Sequence, residues 1–191
     1  MTNDMMKYAT IGNSQIAVGR FSYGHKNLLI RQWKEGANLE IGAFCSLATN
    51  ITIYLGGNHR TDWITTFPFG HKYQNELGGE DIVGHPSTKG DVIIGNDVWI
   101  GSGVTIMSGI KIGDGSVISA NTCVVKDVPP YHIVGGNPSQ IIKKRFDDEI
   151  IELLLELKWW NLPLATIKSM NKYLCSKPDV QLLVELLNLK N

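Results

Sequence analysis

Residues 92–128 read VIIGNDVWIGSGVTIMSGIKIGDGSVISANTCVVKDV, and an aliphatic residue recurs in this stretch at every sixth position. The recurring residues are Ile94, Ile100, Ile106, Ile112, Ile118 and Val124. A second aliphatic series stands two residues earlier and fades after Ile110, at Ser116 and Thr122. A helix favours a period of about 3.6 and an ordinary strand a period of about two. A period of six predicts a stacked parallel β-coil in which each repeat forms one short, flat side.

The same spacing continues toward the N-terminus in a less regular form. Ile41, Leu47 and Ile53 stand six residues apart, and Ile11-Gly12 and Val18-Gly19 resemble single repeats. We therefore expect the coil to begin near residue 10 and to contain insertions near residues 21–38 and near residues 54–91. The second insertion is rich in polar residues, glycine and aromatics, and a loop of this length inside a compact domain is usually functional or disordered. Its aromatic residues argue against disorder.

The sequence changes character after Val128. Pro129-Pro130 ends the repeats, and residues 141–158 carry an apolar stripe with helical spacing. Asp147 and Asp148 fit the first turn of that helix, where the helix dipole favours negative charge. Residues 164–174 and 179–189 predict two further short helices. Because a coil has open ends that need cover, we expect a β-domain over residues 1–144 and a C-terminal α-helical cap over residues 145–191.

The composition is that of an ordinary globular protein. Eighteen basic residues balance eighteen acidic residues in a chain of 191, so there is no general electrostatic reason to bind nucleic acid or a membrane surface. No apolar run reaches the ~18 residues that a membrane span needs. Three cysteines are an odd number without metal-ligand spacing. These observations predict a cytoplasmic protein with reduced thiols and with neither a nucleic-acid nor a membrane partner.

Five stretches of this sequence resemble the hexapeptide-repeat acyltransferases. They are IGAFCSLA at 41–48, GGNHRTDWITTFPF at 56–69, the repeats at 90–131, VGGNPSQIIKKRF at 134–146 and LKWWNLP at 157–163. Within that family they resemble the xenobiotic acetyltransferase branch, which includes chloramphenicol and streptogramin acetyltransferases. The resemblance implies a mainly β protein with a left-handed parallel β-helix, a homotrimer, and acetyl-coenzyme A as co-substrate. It also implies a small-molecule acceptor whose hydroxyl is acetylated. The insert between Gly19 and Leu39 is shorter than in the antibiotic-inactivating members, so a sugar is an alternative to an antibiotic.

His59 is the candidate catalytic residue. An acetyl thioester is already activated, so the enzyme must chiefly remove a proton from the attacking acceptor. A neutral imidazole, with a pKa near ~6.5, suits that task. His59 lies in the GNHR motif on the long insertion, and the resemblance implies that it is the general base. The alternative is a loop histidine that makes a structural hydrogen bond.

The resemblance also implies a set of donor-binding residues. A tryptophan at the position of Trp99 lies beside the pantetheine arm in the family, small residues let that arm approach the backbone, and cations suit the phosphates. The candidates are Trp99, Gly101, Ser119, Ala120, Lys126, Asn137, Pro138, Lys143, Lys144 and Arg145. Each small residue can instead be explained by its turn, and each cation by an ordinary solvated surface.

Four residues near the insertions are candidates for the acceptor pocket. They are Tyr23, His25, Trp33 and Asp62, because aromatic rings stack on sugar and drug rings alike. Packing of the loops is the alternative explanation. The histidine spacings fit no known ligand pattern, so we expect no metal.

Three other functions remain open at this point. The same histidine base can serve N-acetylation of an amino sugar or a nucleotide-linked amino sugar. A non-catalytic β-helix scaffold would need neither His59 nor coenzyme A. A zinc-dependent carbonic anhydrase on the same scaffold would need three ligand histidines between chains. An acyl-enzyme formed on Cys45 is a further alternative, although a small residue packed inside the coil is the commoner role.

Overall fold

The computed structural model describes residues 6–190, which form a parallel β-helix with three flat sides followed by a helical region. In the regular part of the coil, each residue pairs with the one three repeats further along. Ile94 pairs with Ile112, Ile100 with Ile118, and Ile106 with Val124. One coil therefore consumes three six-residue repeats and contributes one short strand to each of three sheets, as the spacing predicts.

Sheets A, B and C are the three sides of the coil. Sheet A has the order β1 (Met6–Ile11), β2 (Ser14–Val18), β4 (Leu39–Ile41), β7 (Val92–Ile94) and β10 (Lys111–Ile112). Sheet B has the order β14 (Gln140–Lys144), β13 (His132–Gly135), β11 (Val117–Ile118), β8 (Trp99–Ile100) and β5 (Ser46–Leu47). Sheet C has the order β12 (Cys123–Val124), β9 (Thr105–Ile106), β6 (Thr52–Tyr54) and β3 (Leu29–Arg31). The pairs are parallel except β1–β2 and β13–β14, which are antiparallel.

The recurring aliphatic side chains fill the interior of the coil. Ile100, Ile106 and Val124 have no solvent exposure, and they belong to one continuous cluster of buried residues. The second aliphatic series fades where two hydroxyl residues take its place in the interior. Ser116 donates to the carbonyl of Pro129, and Thr122 donates to the carbonyl of Ser119. These bonds satisfy the buried hydroxyls, which would otherwise be costly to bury.

Truncating one of these core residues is expected to destabilise the protein strongly. Ile106→Ala removes buried methyl groups and leaves a cavity, so we expect the free energy of unfolding to fall by about 2–5 kcal/mol. Ile64→Ala is the matched control, because Ile64 is fully exposed on the long insertion, and we expect a change within about 0.5 kcal/mol. Calorimetric unfolding of both variants tests this, and equal melting temperatures would contradict the assignment of the core.

The start of the coil differs from the prediction. Ile11-Gly12 is not a repeat, because Ile11 ends β1, Gly12 begins the turn of the antiparallel β1–β2 hairpin, and Ile11 is exposed. The stretch 21–38 is only partly an insertion, because Tyr23 pairs with Ser46 and β3 pairs with β6. The six-residue signal is weak there since β3 has only one half-buried side chain, Ile30, and no glycine after it. The second insertion occupies residues 55–91 and contains one short helix, α1 (Gln74–Leu77).

The C-terminal region begins with a strand and continues with helices. Residues 140–144 form β14 against β13, although the apolar stripe predicted a helix from residue 141. The pair Ile141-Ile142 is β-branched, which favours a strand. The helices are α2 (Asp148–Leu157), α3 (Leu164–Leu174) and α4 (Val180–Lys190). The Asp147 carboxylate accepts the backbone N–H of Ile150 and so caps α2.

The observed contacts of the helical region are with one edge of the coil. We call this edge the A–B corner, because it consists of the turns that lead from sheet A to sheet B. Arg20 donates to the carbonyls of Trp160 and Leu162, at 2.7 and 2.6 Å. The ring of Phe44 lies 4.6 Å from that of Trp159. These contacts involve successive coils along the side, whereas a cap over the open end was predicted. Within residues 6–190, no helix is both long enough and apolar enough to span a membrane.

Candidate active site

His59 lies on the long insertion where that insertion leaves the coil. The chain departs from β6 in sheet C and returns to β7 in sheet A, so the loop projects from the C–A corner. Asn58 fixes its base through two backbone hydrogen bonds with Ser87, each 2.9 Å long. The Asn58 amide also donates to the hydroxyl of buried Ser108, at 2.9 Å. The residue before His59 is thus attached to the scaffold by both backbone and side chain.

The His59 ring is oriented by a backbone carbonyl of the same loop. Its Nδ1 lies 2.7 Å from the carbonyl oxygen of Thr66. A carbonyl can only accept, so Nδ1 carries the proton in the neutral ring and Nε2 keeps its lone pair. The side chain of His59 is exposed. Sequence reasoning missed this contact, because a backbone carbonyl leaves no residue-type signal.

The segment between β3 and β4, residues 32–38, holds the start of the long insertion in place. Glu35 accepts the backbone N–H of Gly57 at 2.6 Å and that of Trp33 at 2.7 Å, using a different carboxylate oxygen for each. Trp33 stacks on Tyr54 at 6.2 Å. A Cβ at position 57 would lie 2.4 Å from the Trp33 ring, so only glycine fits there. Glu35 was not among the predicted residues, and its sequence context, KEGAN, gave no signal for it.

These residues border an open cavity of about 170 Å³ beside His59. Its wall includes Trp33, Gly57, His59, Pro68, His71 and Pro86. Trp33 therefore lies with His59, as the predicted acceptor pocket requires.

Removing the Glu35 carboxylate is expected to slow turnover without unfolding the coil. Glu35→Ala leaves the N–H groups of Gly57 and Trp33 without their acceptor, and we expect kcat to fall roughly tenfold because His59 is displaced. Glu35→Gln keeps one carbonyl oxygen and should lose less. Steady-state kinetics of both variants, with melting temperatures as the control, make the comparison. Equal kcat in Glu35→Ala and the parent protein would show that this support does not position the loop.

Asp62 belongs to a cluster of charged and aromatic side chains that contacts His59 through His85. Arg60 pairs with Asp62, and this hydrogen bond lowers the pKa of the carboxyl to about 2. The guanidinium also lies 5.1 Å from the centre of the Trp63 ring. His85 stands with its ring 5.3 Å from His59 and 5.0 Å from Trp63. Burial, and then the charges of His59 and Arg60, lower the pKa of His85, which favours its neutral form.

Five predicted donor residues form a row along the B–C corner, defined by the turns that lead from sheet B to sheet C. Gly101, Ser119 and Ala120 lie in these turns, and a Cβ on Gly101 would sit 2.7 Å from the backbone nitrogen of Ala120. Asn137 and Pro138 lie in the β13–β14 turn, which is attached to the same corner by the bond from the Cys123 N–H to the Gly136 carbonyl. We call these five residues the B–C row.

Trp99 and Tyr23 stand on the neighbouring face, sheet B. Trp99 pairs with Ser46 on one side and with Val117 on the other, and 58% of it is exposed. Tyr23 pairs with the opposite side of Ser46 and is 63% exposed. His25 follows in the turn from this position to β3 in sheet C. The four predicted acceptor residues are therefore divided, with Trp33 and Asp62 near His59 and the other two beside the B–C row.

The predicted cations do not form one group. Lys126 lies in the turn from sheet C back toward sheet A. Lys143 and Lys144 are exposed on β14, and Lys144 pairs with Asp148. Arg145 lies at the A–B corner, where it donates to the Gly115 carbonyl at 2.6 Å. Within residues 6–190, the structure brings no three His, Cys, Asp or Glu side chains together as a metal site.

Comparison with known proteins identifies relatives across most of the chain. The family described as Bacterial transferase hexapeptide (six repeats) matches residues 91–126. The chain is 45% identical over 179 residues to a chloramphenicol acetyltransferase of Morganella morganii, covering 87% of this chain and 85% of that protein. It is 44% identical over 172 residues to virginiamycin A acetyltransferase of Staphylococcus aureus, covering 83% and 76%. Among solved structures, the polySia specific acetyltransferase NeuO matches with a TM-score of 0.51 and 27% identity, over 70% of this chain and 53% of that one.

The similarity to the chloramphenicol and virginiamycin A acetyltransferases covers 83–87% of the chain, far more than the repeats at residues 91–126, so it is not confined to a common scaffold. The resemblance seen in the sequence is confirmed, and the protein is an acetyltransferase. At these identities and coverages, the chain belongs to the hexapeptide-repeat acetyltransferases, in the xenobiotic acetyltransferase branch.

Proposed function

We propose that this protein transfers an acetyl group from acetyl-coenzyme A to a hydroxyl of a small molecule, with His59 as the general base. The observation that carries the proposal is the bond between His59 Nδ1 and the Thr66 carbonyl, on a loop that faces an open cavity. This bond leaves Nε2 as the proton acceptor, and a general base must have such a free nitrogen within reach of the substrate.

The proton and the electrons move in two steps. Nε2 takes the proton of the acceptor hydroxyl while the hydroxyl oxygen attacks the thioester carbonyl, and backbone amides at the coil edge stabilise the oxyanion. The carbon–sulfur bond then breaks, and the imidazolium returns its proton to the departing thiolate. His59 ends neutral, so no covalent enzyme intermediate is needed.

The active site is proposed to lie between chains of a homotrimer. His59 projects from the C–A corner, whereas the B–C row lies at a different corner of the same coil. A single coil cannot fold one of its corners onto another. When three coils with a left-handed path pack side by side, the C–A corner of one chain meets the B–C row of its neighbour. The donor then lies along the B–C row, and His59 reaches it from the adjacent chain.

The acceptor is proposed to be an alcohol-bearing antibiotic. The relatives that share 44–45% of this sequence are acetyltransferases of chloramphenicol and virginiamycin A, and the cavity beside His59 has the aromatic wall of Trp33. A sugar hydroxyl is the second candidate. The segment between β3 and β4 contains only residues 32–38, and this part of the chain is shorter than in the antibiotic-inactivating members of the family.

Product analysis distinguishes hydroxyl from amine chemistry. The protein would be incubated with acetyl-coenzyme A and with paired acceptors that carry either a hydroxyl or an amine, and the products identified by NMR. We expect an ester on the hydroxyl acceptors. Exclusive formation of amides would replace this proposal with N-acetylation of an amino sugar.

A further inference from the structure

A second cavity, which shares no lining residue with the one beside His59, lies between the helical region and the A–B corner of the coil. It has a volume of about 110 Å³. Its wall combines a polar end with an apolar part, and the apolar part includes Leu154, Leu157, Trp159, Leu182, Leu183 and Leu186. The exposed residues Tyr173 and Ser176 also line it, so small molecules can enter from solvent. We call it the helix–coil cavity.

One polar group in the wall has no partner. Tyr131 lines the helix–coil cavity and is only 1% exposed, and its hydroxyl makes no hydrogen bond within the described residues. Burial raises the pKa of this phenol, so it remains a neutral O–H donor. Buried hydroxyls without a partner are rare in folded proteins, because no hydrogen bond offsets the free energy lost when the hydroxyl leaves water. A residue that lines the cavity therefore carries one unused donor and acceptor.

Two opposite charges stand in the same wall as Tyr131. Asp97 and Arg145 both line the cavity, with 3.8 Å between a carboxylate oxygen and a guanidinium nitrogen. The guanidinium also lies 5.4 Å from the centre of the Tyr131 ring. Asp97 disfavours an anionic ligand, and Arg145 disfavours a cationic one. A neutral hydroxyl suits this end of the cavity, because it accepts from the phenol and donates to the carboxylate.

We propose that the helix–coil cavity binds a small neutral hydroxyl compound, an alcohol or a phenol, with its apolar body against the leucines and its hydroxyl toward Tyr131 and Asp97. The size follows from the volume, since an apolar cavity of about 150 Å³ holds benzene. At about 110 Å³ the cavity encloses roughly four or five non-hydrogen atoms, and a ligand of six or seven extends into its open mouth. The site is separate from the proposed active site, and it does not depend on the identity of the acceptor.

The test compares phenol with toluene, which has the same shape but no hydroxyl. Both would be titrated into the full-length protein, and binding followed by ligand-observed NMR up to about 10 mM. We expect saturable binding of phenol with a Kd roughly five- to tenfold below that of toluene, the effect of a hydrogen bond. Absence of saturable phenol binding, or equal binding of the two compounds, would overturn the proposal.

Two variants assign the binding to this cavity. Tyr131→Phe removes only the unpartnered hydroxyl, so folding should be retained, while phenol binding weakens at least threefold and toluene binding stays the same. Leu182→Trp fills the cavity from α4, and both ligands should be lost. The melting temperature of each variant verifies that it is folded. Unchanged phenol binding in both folded variants would place the ligand elsewhere and refute the site.

Discussion

Replacing His59 by alanine is expected to lower kcat by roughly 10²- to 10⁴-fold, the usual range for a lost general base. The fold should be unaffected, because the side chain is exposed and makes one described hydrogen bond, to a carbonyl of its own loop. Steady-state release of coenzyme A with saturating acceptor measures kcat, and direct titration measures binding of the donor. The loss should appear in kcat, with donor affinity within about threefold of the parent.

His71 provides the matched control. Like His59, it is exposed, lies on the same insertion and lines the same cavity. Its imidazole, however, forms none of the described hydrogen bonds. His71→Ala should retain kcat within about threefold. If His59→Ala keeps more than a tenth of the parent activity, the general base is another group and the mechanism is wrong.

Mixed trimers should recover activity that neither parent variant has. His59→Ala removes the proposed base, and Ala120→Trp places a bulky ring at the exposed position 120 of the B–C row, where the donor is proposed to lie. In random trimers of the two variants, each site as proposed joins the loop of one chain to the row of its neighbour. About a quarter of the sites then combine an intact His59 with an intact Ala120, and we expect about a quarter of the parent activity.

The same experiment contains its own control. A mixture of His59→Ala with His59→Asn should recover nothing, because every chain lacks the base. Ala120→Trp alone must fail to bind coenzyme A while it keeps its melting temperature. If the mixture of His59→Ala and Ala120→Trp remains inactive, although mixed trimers are shown by mass spectrometry, each site lies within one chain.

The interior of the coil could be predicted from the sequence, because its chemistry repeats. Most inward positions carry an aliphatic side chain, so Ile94, Ile100 and Ile106 mark the coil directly. The prediction from spacing was wrong where an apolar residue serves a strand pairing outside the core of the coil. Ile11 is held by a hairpin instead of a core, and Ile141 and Ile142 extend a sheet at the point where their spacing suggested a helix. Local pattern alone does not distinguish a short apolar strand from a helix.

The candidate site could be predicted only in part. His59 and Trp33, which are far apart in sequence, do lie together in one cavity. The groups that hold them, the Thr66 carbonyl and the Glu35 carboxylate, come from loop geometry that no residue type reveals. Arg145 was predicted among the phosphate ligands, and the structure places it at the A–B corner, bonded to the Gly115 carbonyl. In the sequence, Lys143, Lys144 and Arg145 are three consecutive cations, so nothing in the sequence distinguished Arg145 from the two lysines.

The most direct test of the central claim is acceptor-dependent release of coenzyme A thiol. Purified protein would be given acetyl-coenzyme A with chloramphenicol, with a streptogramin, and with a panel of sugars and amino sugars. We predict thiol release with at least one hydroxyl-bearing acceptor, and its loss when that hydroxyl is already acetylated. No acceptor-dependent release, together with no saturable binding of coenzyme A, would contradict the claim.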